Sequence, residues 1–387
     1  MKNFKFYNPT KIFFGSDKLN VLGSEILKYG KKVLLVTGQG SVKRIGLYKK
    51  VVKILEKNDI KIYNLEGVEP NPRIDLVRKG TKIAKEKKID IVLAVGGGST
   101  IDTAKTVAAA VKYDGDPWEM FDKNNDPVAA LPIATVLTLA ATGSEMNNGA
   151  VISNKIENRK LSIHSDVLFP KFSVLDPTIT FSVPQKHTIY GIIDITAHVL
   201  EQYFTHVKEV PLQDRWAEGI ILTLMEESKK VLKNPKDYDS RANILLCSTM
   251  ALNGLLAMGV EDERTTHPCH KLEHELSAYY DIPHGAGLSI LLPNWLDYVM
   301  KNDISKFVQF GNRIFGLDVN KLGEKYTATE GIKLLRKWFK EIGAPLSLSY
   351  FNIGKEKFEE MADNIAPVGG YMELNKADIV NIFNMAL

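Results

Sequence analysis

The chain has 387 residues, about twice the length of a typical domain, and 44% of them are hydrophobic, which predicts two domains with large cores. The 50 basic and 46 acidic residues give a net charge of +4, spread too evenly for a nucleic-acid-binding surface. No stretch is apolar enough for a membrane helix, the N-terminus lacks a signal-peptide pattern, and only two cysteines occur, so a reduced, cytoplasmic protein is expected.

The first half of the chain alternates short apolar runs with amphipathic stretches. Apolar residues recur at helical spacing near 44–57, 73–87 and 99–112. Strands and helices in alternation predict a parallel sheet covered on both faces, which binds ligands beyond the carboxyl ends of its strands. The predicted buried strands are 33–36, 61–65, 91–95, 133–136 and 173–175.

The pattern changes near residue 184. Beyond it, apolar residues keep helical spacing to the end of the chain, interrupted by prolines and without alternating strands. We therefore predict an α/β domain over 1–184 and an all-α domain over 185–387. The junction between two such domains is a natural place for a ligand cleft.

Three turns in the first half are rich in glycine and hydroxyl side chains. Glycine lets a backbone approach a ligand closely, and the N–H groups at a helix start favour an anion. Tight strand-to-helix turns are the alternative, since the spacing is neither Gly-x-Gly-x-x-Gly nor a P-loop. Three such turns on one sheet edge suit a dinucleotide. They contain Gly38, Gly40 and Ser41; Gly97, Gly98 and Ser99; and Thr138, Thr142 and Ser144.

The second half holds two clusters of metal-ligand residue types. Asp194 and His198 are four apart on one face of an apolar helix, where a carboxylate is costly unless paired or bound to a cation. An Asp–His hydrogen bond in the core is the alternative. His270 and His274 share a face of a second helix, predicted to begin at Pro268.

His284 follows in a turn ten residues after His274. One aspartate and two or three histidines from separate segments make an oxygen and nitrogen site that suits one divalent metal, Fe²⁺ or Zn²⁺. We expect His267, just before Pro268, to cap the second helix.

These residues lie in longer motifs that identify a family. The motifs are AVGGGSTIDTAK at 94–105, ATGSE at 141–145, VLDP at 174–177, GIIDITAHVLEQY at 191–203 and HKLEHELSAYYDIPHGAGL at 270–288. Over essentially its full length the chain resembles the iron-containing (group III) alcohol dehydrogenases, in the subgroup of butanol dehydrogenases and NADPH-dependent aldehyde reductases. The resemblance implies a dehydroquinate synthase-like fold with a Rossmann-like, dinucleotide-binding α/β domain and a helical metal-binding domain. It also implies an active site between the domains, a homodimer, and hydride transfer between NAD(P)H and small aldehydes or primary alcohols.

The resemblance also assigns roles to residues. It implies that the four metal ligands are Asp194, His198, His270 and His284. It puts His274 near the active site, where this histidine or a metal-linked water is the candidate proton donor. The three glycine and hydroxyl turns then contact the cofactor, together with Lys160 at a ribose and Asn71 on the adenosine side.

One segment departs from the family pattern. Relatives carry Asp-Trp-Ala-Thr before the first histidine of the second cluster, whereas this chain has Thr265-Thr266-His267-Pro268-Cys269. His267 could therefore compete with His270 as a ligand, although the motif alignment and the expected helix start both select His270.

Cofactor choice is predicted from the turn after the first strand. NAD-preferring relatives carry an acid there that binds the ribose 2′-OH and repels a 2′-phosphate, whereas this chain has Gly38. Lys43 and Arg44 follow and could attract a phosphate, although they could equally form a solvated helix face. We expect NADP(H) to be favoured and NAD(H) to be possible.

Three other functions are alternatives to a dehydrogenase. A metal-dependent hydrolase is the first alternative, but its His-Glu-x-x-His signature is absent because Ala278 stands where the second histidine would be. A glycerol dehydrogenase-like or dehydroquinate synthase-like enzyme of the same fold is the second. A non-catalytic binding module stabilised by a metal is the third.

Overall fold

A computed structural model describes residues 1–260 and 267–387. Two compact units are present. The sheet unit comprises Tyr7–Pro184 and Asn234–Asn253, and the helical unit comprises Met1–Phe6, Gln185–Lys233 and Gly254–Leu387.

All strands of the described residues belong to the sheet unit. Six form a parallel sheet in the order β1-β8-β5-β4-β2-β3, and β6 and β7 form an antiparallel hairpin. The strands are β1 Lys11–Phe14, β2 Lys32–Gly38, β3 Lys61–Val68, β4 Ile91–Gly96, β5 Ile133–Leu137, β6 Gly149–Asn154, β7 Arg159–His164 and β8 Phe172–Leu175.

The α-helices of the sheet unit are α1 Leu22–Ile26, α2 Ser41–Arg44, α3 Leu47–Lys57, α4 Ile74–Lys87, α5 Gly98–Ala110, α6 Glu119–Asp122 and α9 Tyr238–Ala251. Those of the helical unit are α7 Gln185–Tyr203, α8 Pro211–Lys233, α10 Pro268–Tyr280, α11 His284–Val299, α12 Ser305–Phe315, α13 Val319–Leu322, α14 Glu324–Glu341, α15 Phe358–Ile365 and α16 Lys376–Met385. Across 1–260 and 267–387, none of the helices combines the length and apolar character needed to cross a bilayer.

The central strands explain why the sheet is covered on both faces. Successive side chains of a strand point to opposite faces, and every residue of β4 is buried. Val92 and Ala94 join one apolar cluster with residues of α4 and α5. Ile91 and Leu93 join a second cluster with residues of α1 and α3. The continuous apolar runs therefore correspond to doubly covered strands, as predicted.

The five predicted strands are confirmed as β2, β3, β4, β5 and β8, each one to three residues longer than expected. Strands β1, β6 and β7 were not predicted from the sequence. These strands pack mainly on one side or lie at an edge, so their apolar runs are short and mixed with polar residues.

One helix departs from a simple division at residue 184. Helix α9 lies in the second half of the sequence but packs in the sheet unit. The Thr249 hydroxyl donates to Oε1 of Glu145 at 2.6 Å, and the amide of Ala141 donates to Oγ of Ser248 at 2.9 Å. These buried hydrogen bonds attach α9 to the loop after β5.

In the helical unit, α7 is buried along most of its length and packs against α8, α10 and α11. Helix α10 begins at Pro268, as predicted, and His267 is its N-cap residue in an extended conformation. Helix α11 begins at His284, directly after Pro283. Thr265 and Thr266, the other part of the segment that departs from the family pattern, lie outside the described residues.

Candidate metal centre and cofactor loops

The four residues proposed as metal ligands surround one carboxylate oxygen. Oδ1 of Asp194 lies 3.6 Å from Nδ1 of His198 on the same helix. It lies 3.4 Å from Nε2 of His270 at the start of α10 and 3.7 Å from Nε2 of His284 at the start of α11. Helix α7 thus supplies two of the side chains, and two helix starts supply the others.

The spacing fits a divalent cation. A tetrahedral ion with bonds of about 2.1 Å to nitrogen and oxygen has ligand–ligand edges of roughly 3.4 Å. Ligand atoms of Asp194, His270 and His284 all lie within 4.8 Å of one another. Among residues 1–260 and 267–387, the buried Nδ1 of His198 has no hydrogen-bond partner. An orphaned imidazole nitrogen facing a buried carboxylate is the donor arrangement that such a cation completes.

Two further carboxylates orient the histidine rings. Glu201 on α7 contacts Nδ1 of His270, and Glu273 on α10 contacts Nδ1 of His284. Both carboxylates are buried. Because each holds Nδ1 of its histidine, Nε2 of the ring is directed toward Asp194. Carboxylates that hold the far nitrogen of a metal-binding histidine fix its tautomer and raise its basicity.

Glu201 also binds the first turn of helix α10. Its Oε1 accepts hydrogen bonds from the backbone amides of Cys269 at 2.6 Å and His270 at 3.1 Å. These amides lie in the first turn of α10, where no partner exists within the helix. Glu201 therefore caps α10 and fixes the position of His270 relative to α7. Glu201 lies in the motif at 191–203. The charge of Glu201 in an otherwise apolar helix was the available signal for this role.

The charge states follow from burial and from these neighbours. Burial alone would raise the pKa of Asp194, but the three histidines around it hold that pKa well below its usual range. Burial lowers the pKa of His198 to about 3, so its ring is neutral. Burial also acts to lower the pKa of His270, but the carboxylates of Glu201 and Asp194 outweigh it and raise that pKa to about 10. A divalent cation here would take the place of the His270 proton.

The remaining histidines of the cluster lie on its border. The ring centroid of His274 is 5.6 Å from that of His284, and His274 groups with Glu273 and His284 rather than with Asp194. Nδ1 of His267 lies 3.7 Å from Oε2 of Glu201, on the side of the His270 ring away from Asp194. The structure thus brings His270, and not His267, to the central carboxylate.

In the sheet unit, the predicted cofactor turns after β4 and β5 meet. Gly97 is the N-cap residue of α5, and Gly98 is its first residue. A Cβ at Gly98 would lie 3.0 Å from Cβ of Thr142 and closer still to the Thr142 hydroxyl, so only glycine permits this approach. The amide of Thr138 donates to the carbonyl oxygen of Gly96 at 3.1 Å.

Two more predicted contact residues meet near this place. Nζ of Lys160 on β7 donates to Oδ1 of Asn71 at 3.2 Å, and both side chains are buried. The hydroxyl of Ser99 contacts the carbonyl oxygen of Pro70, the residue before Asn71. The turn after β3, the start of α5 and the hairpin strand β7 are therefore linked.

The third predicted turn lies at the end of β2. Gly38 is the last residue of that strand, and a Cβ there would lie 3.8 Å from Oγ1 of Thr100 on α5. Gly40 precedes the short helix α2, and Ser41 is the first residue of that helix and is exposed. All three predicted turns therefore lie at the carboxyl ends of neighbouring parallel strands, where such sheets bind ligands.

A buried charged cluster, not predicted from the sequence, supports the turn after β5. Oδ1 of Asp102 accepts from the Ser144 hydroxyl at 2.6 Å. Nζ of Lys105 donates to the carbonyl oxygens of Asn147 and Gly149, both at 2.8 Å, and to Oδ1 of Asn147 at 2.9 Å. Burial lowers the pKa of Lys105 to about 8. Two charged residues three apart on an otherwise apolar helix were the available signal.

Comparison with known proteins identifies the family. A family model described as iron-containing alcohol dehydrogenase matches residues 9–177. A second, the C-terminal domain of Fe-containing alcohol dehydrogenases, matches residues 188–387. The chain belongs to the iron-containing alcohol dehydrogenase family. Membership makes it an oxidoreductase of the alcohol and aldehyde class, and it decides against the hydrolase and non-catalytic alternatives.

Individual relatives from this family match the chain over most or all of its length. The chain is 47% identical to NADH-dependent butanol dehydrogenase A of Clostridium acetobutylicum, with 99% of each chain covered. It is 37% identical to the NADPH-dependent aldehyde reductase YqhD of Escherichia coli, with 91% of this chain and 90% of that one covered. The crystal structure of NADH-dependent butanol dehydrogenase A from Thermotoga maritima superposes with a TM-score of 0.95 at 40% identity, covering 100% of this chain and 99% of that one.

Proposed function

We propose that this protein reduces short, unbranched aldehydes such as butanal to primary alcohols, using NADPH or NADH, and catalyses the reverse oxidation. The reaction converts aldehyde, reduced cofactor and a proton to alcohol and oxidised cofactor. The observation that carries the proposal is the Asp194, His198, His270 and His284 cluster in a chain of this family. The named substrates and cofactors of the relatives add support.

The proposed metal is one Fe²⁺ or Zn²⁺ per chain, held by these four side chains. When bound, such a cation supplies a Lewis acid toward the carbonyl oxygen of the substrate. Glu201 and Glu273 keep the rings of His270 and His284 in the orientation that binding requires. His274, beside His284, is the proposed source of the proton that the product oxygen takes up.

The proposed cofactor site uses the three turns of the sheet unit with Lys160 and Asn71. Gly97 and Gly98 at the start of α5 let the pyrophosphate approach the helix N-terminus, where backbone amides and the helix dipole favour an anion. When bound, the reduced nicotinamide supplies the hydride. Residues 1–184 then act as the dinucleotide-binding domain and residues 185–387 as the metal-binding domain, a division close to the two family-model matches.

We propose that NADPH is favoured over NADH less strongly than the missing acid at Gly38 alone would predict. The absence of an acid at Gly38 permits the 2′-phosphate of NADPH. Lys43, however, is already paired with Glu66 at 2.6 Å, so one of the two cations after the turn is neutralised. We therefore expect both cofactors to be accepted, with NADPH favoured only modestly.

Steady-state kinetics with butanal and each cofactor, on protein of measured metal content, test the proposed function. We expect metal-dependent oxidation of both NADPH and NADH, and a higher kcat/KM for butanal than for a carboxylated or phosphorylated aldehyde. A strong preference for a charged substrate would contradict the substrate class. A wild type that favours NADH by about tenfold or more, roughly 1.4 kcal/mol, would contradict the cofactor proposal.

Lys105→Met tests the support of the cofactor turn after β5. Removing the ammonium group takes the lysine donor away from three part-buried acceptors on Asn147 and Gly149. Oδ1 of Asn147 keeps one partner, the amide of Gly149, but the turn should lose its fixed position. We expect the dissociation constants of both cofactors to rise by roughly tenfold or more, with unchanged metal content. Asn147→Ala, which keeps the buried charge, should weaken binding in the same direction.

Lys112→Met is the matched control, because Lys112 is exposed and lies two residues beyond the end of α5. Titration of the bound nicotinamide fluorescence measures all three variants. Equal cofactor affinities for Lys105→Met and Lys112→Met would show that the buried lysine does not support the turn.

The family resemblance also supports a homodimer, and the two cysteines, both free, suit the reducing cytoplasm that we propose as its location. Sedimentation equilibrium of the purified chain measures the assembly, and a monomer at micromolar concentration would contradict it.

A further inference from the structure

We propose that the Lys43–Glu66 ion pair limits the preference for NADPH over NADH, with Glu66 partly taking the role of the acid that is absent at Gly38. The inference rests on the proposed cofactor site. It adds a residue that lies on a different strand from the turn that normally carries this acid.

The sheet register brings Glu66 to the place where the adenosine ribose is recognised. Glu66 on β3 pairs with Thr37 on β2, one residue before Gly38. Neighbouring strands lie about 4.8 Å apart, so the Glu66 backbone is adjacent to the end of β2. The ribose 2′-OH of a dinucleotide is bound by an acid near such a strand end. The carboxylate of Glu66 is therefore available where Gly38 offers no side chain.

Lys43 connects this acid to the turn. Nζ of Lys43 on α2 lies 2.6 Å from Oε2 of Glu66 and 5.1 Å from the ring centroid of Tyr48. The lysine and glutamate side chains are 47% and 40% exposed. Ion pairs with this exposure contribute little to folding stability and open easily. The pair can therefore exchange partners with a ligand without disturbing the fold.

Glu66 opposes a 2′-phosphate in two ways. Its own negative charge repels the phosphate, and its bond to Lys43 occupies the cation that would attract it. The neighbouring cation is Arg44, whose Nη1 would lie 3.6 Å from a Cβ at Gly40. Within residues 1–260 and 267–387, Arg44 has no ion-pair partner. Removing the Glu66 charge would thus leave two cations beside the turn and no acid.

Glu66→Gln keeps the side-chain shape and removes the charge. We expect the ratio of NADPH to NADH affinity, measured as dissociation constants and as kcat/KM, to rise by roughly tenfold, because a charge-assisted contact is gained and repulsion is lost. Lys43→Met should lower NADPH affinity and leave NADH affinity nearly unchanged. The double variant Glu66→Gln with Lys43→Met should lose most of the gain, since the freed cation is its main source.

Glu360→Gln is the matched control. Its partner Lys357 lies at 2.7 Å, and the two side chains are 48% and 52% exposed, so the pair resembles Lys43–Glu66 but lies in the helical unit. A rise of threefold or more in Glu66→Gln that is absent from the control and the double variant supports the inference. A smaller rise, or an equal rise in the double variant, overturns it. Failure of the proposed function differs, since the wild type would then bind and oxidise neither cofactor.

Discussion

His270→Ala is expected to remove bound metal and dehydrogenase activity together. His270 offers the nitrogen closest to the central oxygen of Asp194, and it is held by two carboxylates in a buried site. The loss of a direct ligand should lower metal affinity by more than roughly 100-fold, because even the partners that only hold a ligand in place are worth about 10–100-fold. Elemental analysis of the purified variant and its kcat with butanal measure both effects.

His267→Ala provides the comparison that decides between the two candidate histidines. His267 is the N-cap residue of α10 and approaches Glu201, but it lies away from Asp194. We expect this variant to keep most of its metal. Full metal content in His270→Ala, together with metal loss in His267→Ala, would show that the ligand assignment is wrong.

Gly285→Ala is expected to destabilise the helical unit and to weaken metal binding. A Cβ at Gly285 would lie 2.8 Å from the carbonyl carbon of Tyr190, so the first turn of α11 would have to move away from the backbone of α7. Rigid overpacking of this kind costs roughly 3 kcal/mol. The movement would also separate His284, at the start of α11, from Asp194 on α7. Thermal unfolding and metal content report the two effects.

Gly219→Ala is the matched control within the same unit. Gly219 lies in the exposed part of helix α8, and within the described residues no atom would lie within 4 Å of an added Cβ. Alanine should stabilise this helix position by up to about 1 kcal/mol. If Gly285→Ala were as stable as Gly219→Ala and kept its metal, the close approach of the two helices would not matter for the site.

The sequence predicted the parts of the fold whose physics is local. Continuous apolar runs gave the four inner strands β2, β4, β5 and β8, because a strand buried on both faces must be apolar throughout. The start of α10 at Pro268 followed from the restricted backbone before and at proline. Helix α9 could not be assigned in this way, because its place depends on Thr249 and Ser248 reaching a loop about a hundred residues away.

The candidate site was also predicted only in part. Spacing and motif resemblance together named all four residues that the structure brings together around Asp194 Oδ1. They did not name Glu201 and Glu273, which act through the rings of His270 and His284. Nor did they name Glu66, because its pairing with Lys43 depends on the register of β2 and β3 rather than on any motif.

Metal titration of the chelator-stripped chain is the most direct test of the central claim, that Asp194, His198, His270 and His284 hold a metal needed for NAD(P)H-dependent aldehyde reduction. Reduction of butanal, followed by the absorbance of the reduced nicotinamide, is measured as Fe²⁺ or Zn²⁺ is added. We expect no activity without metal and a rise that ends at one equivalent per chain. Full activity of the stripped chain, or none at any metal content with either cofactor, would contradict the claim.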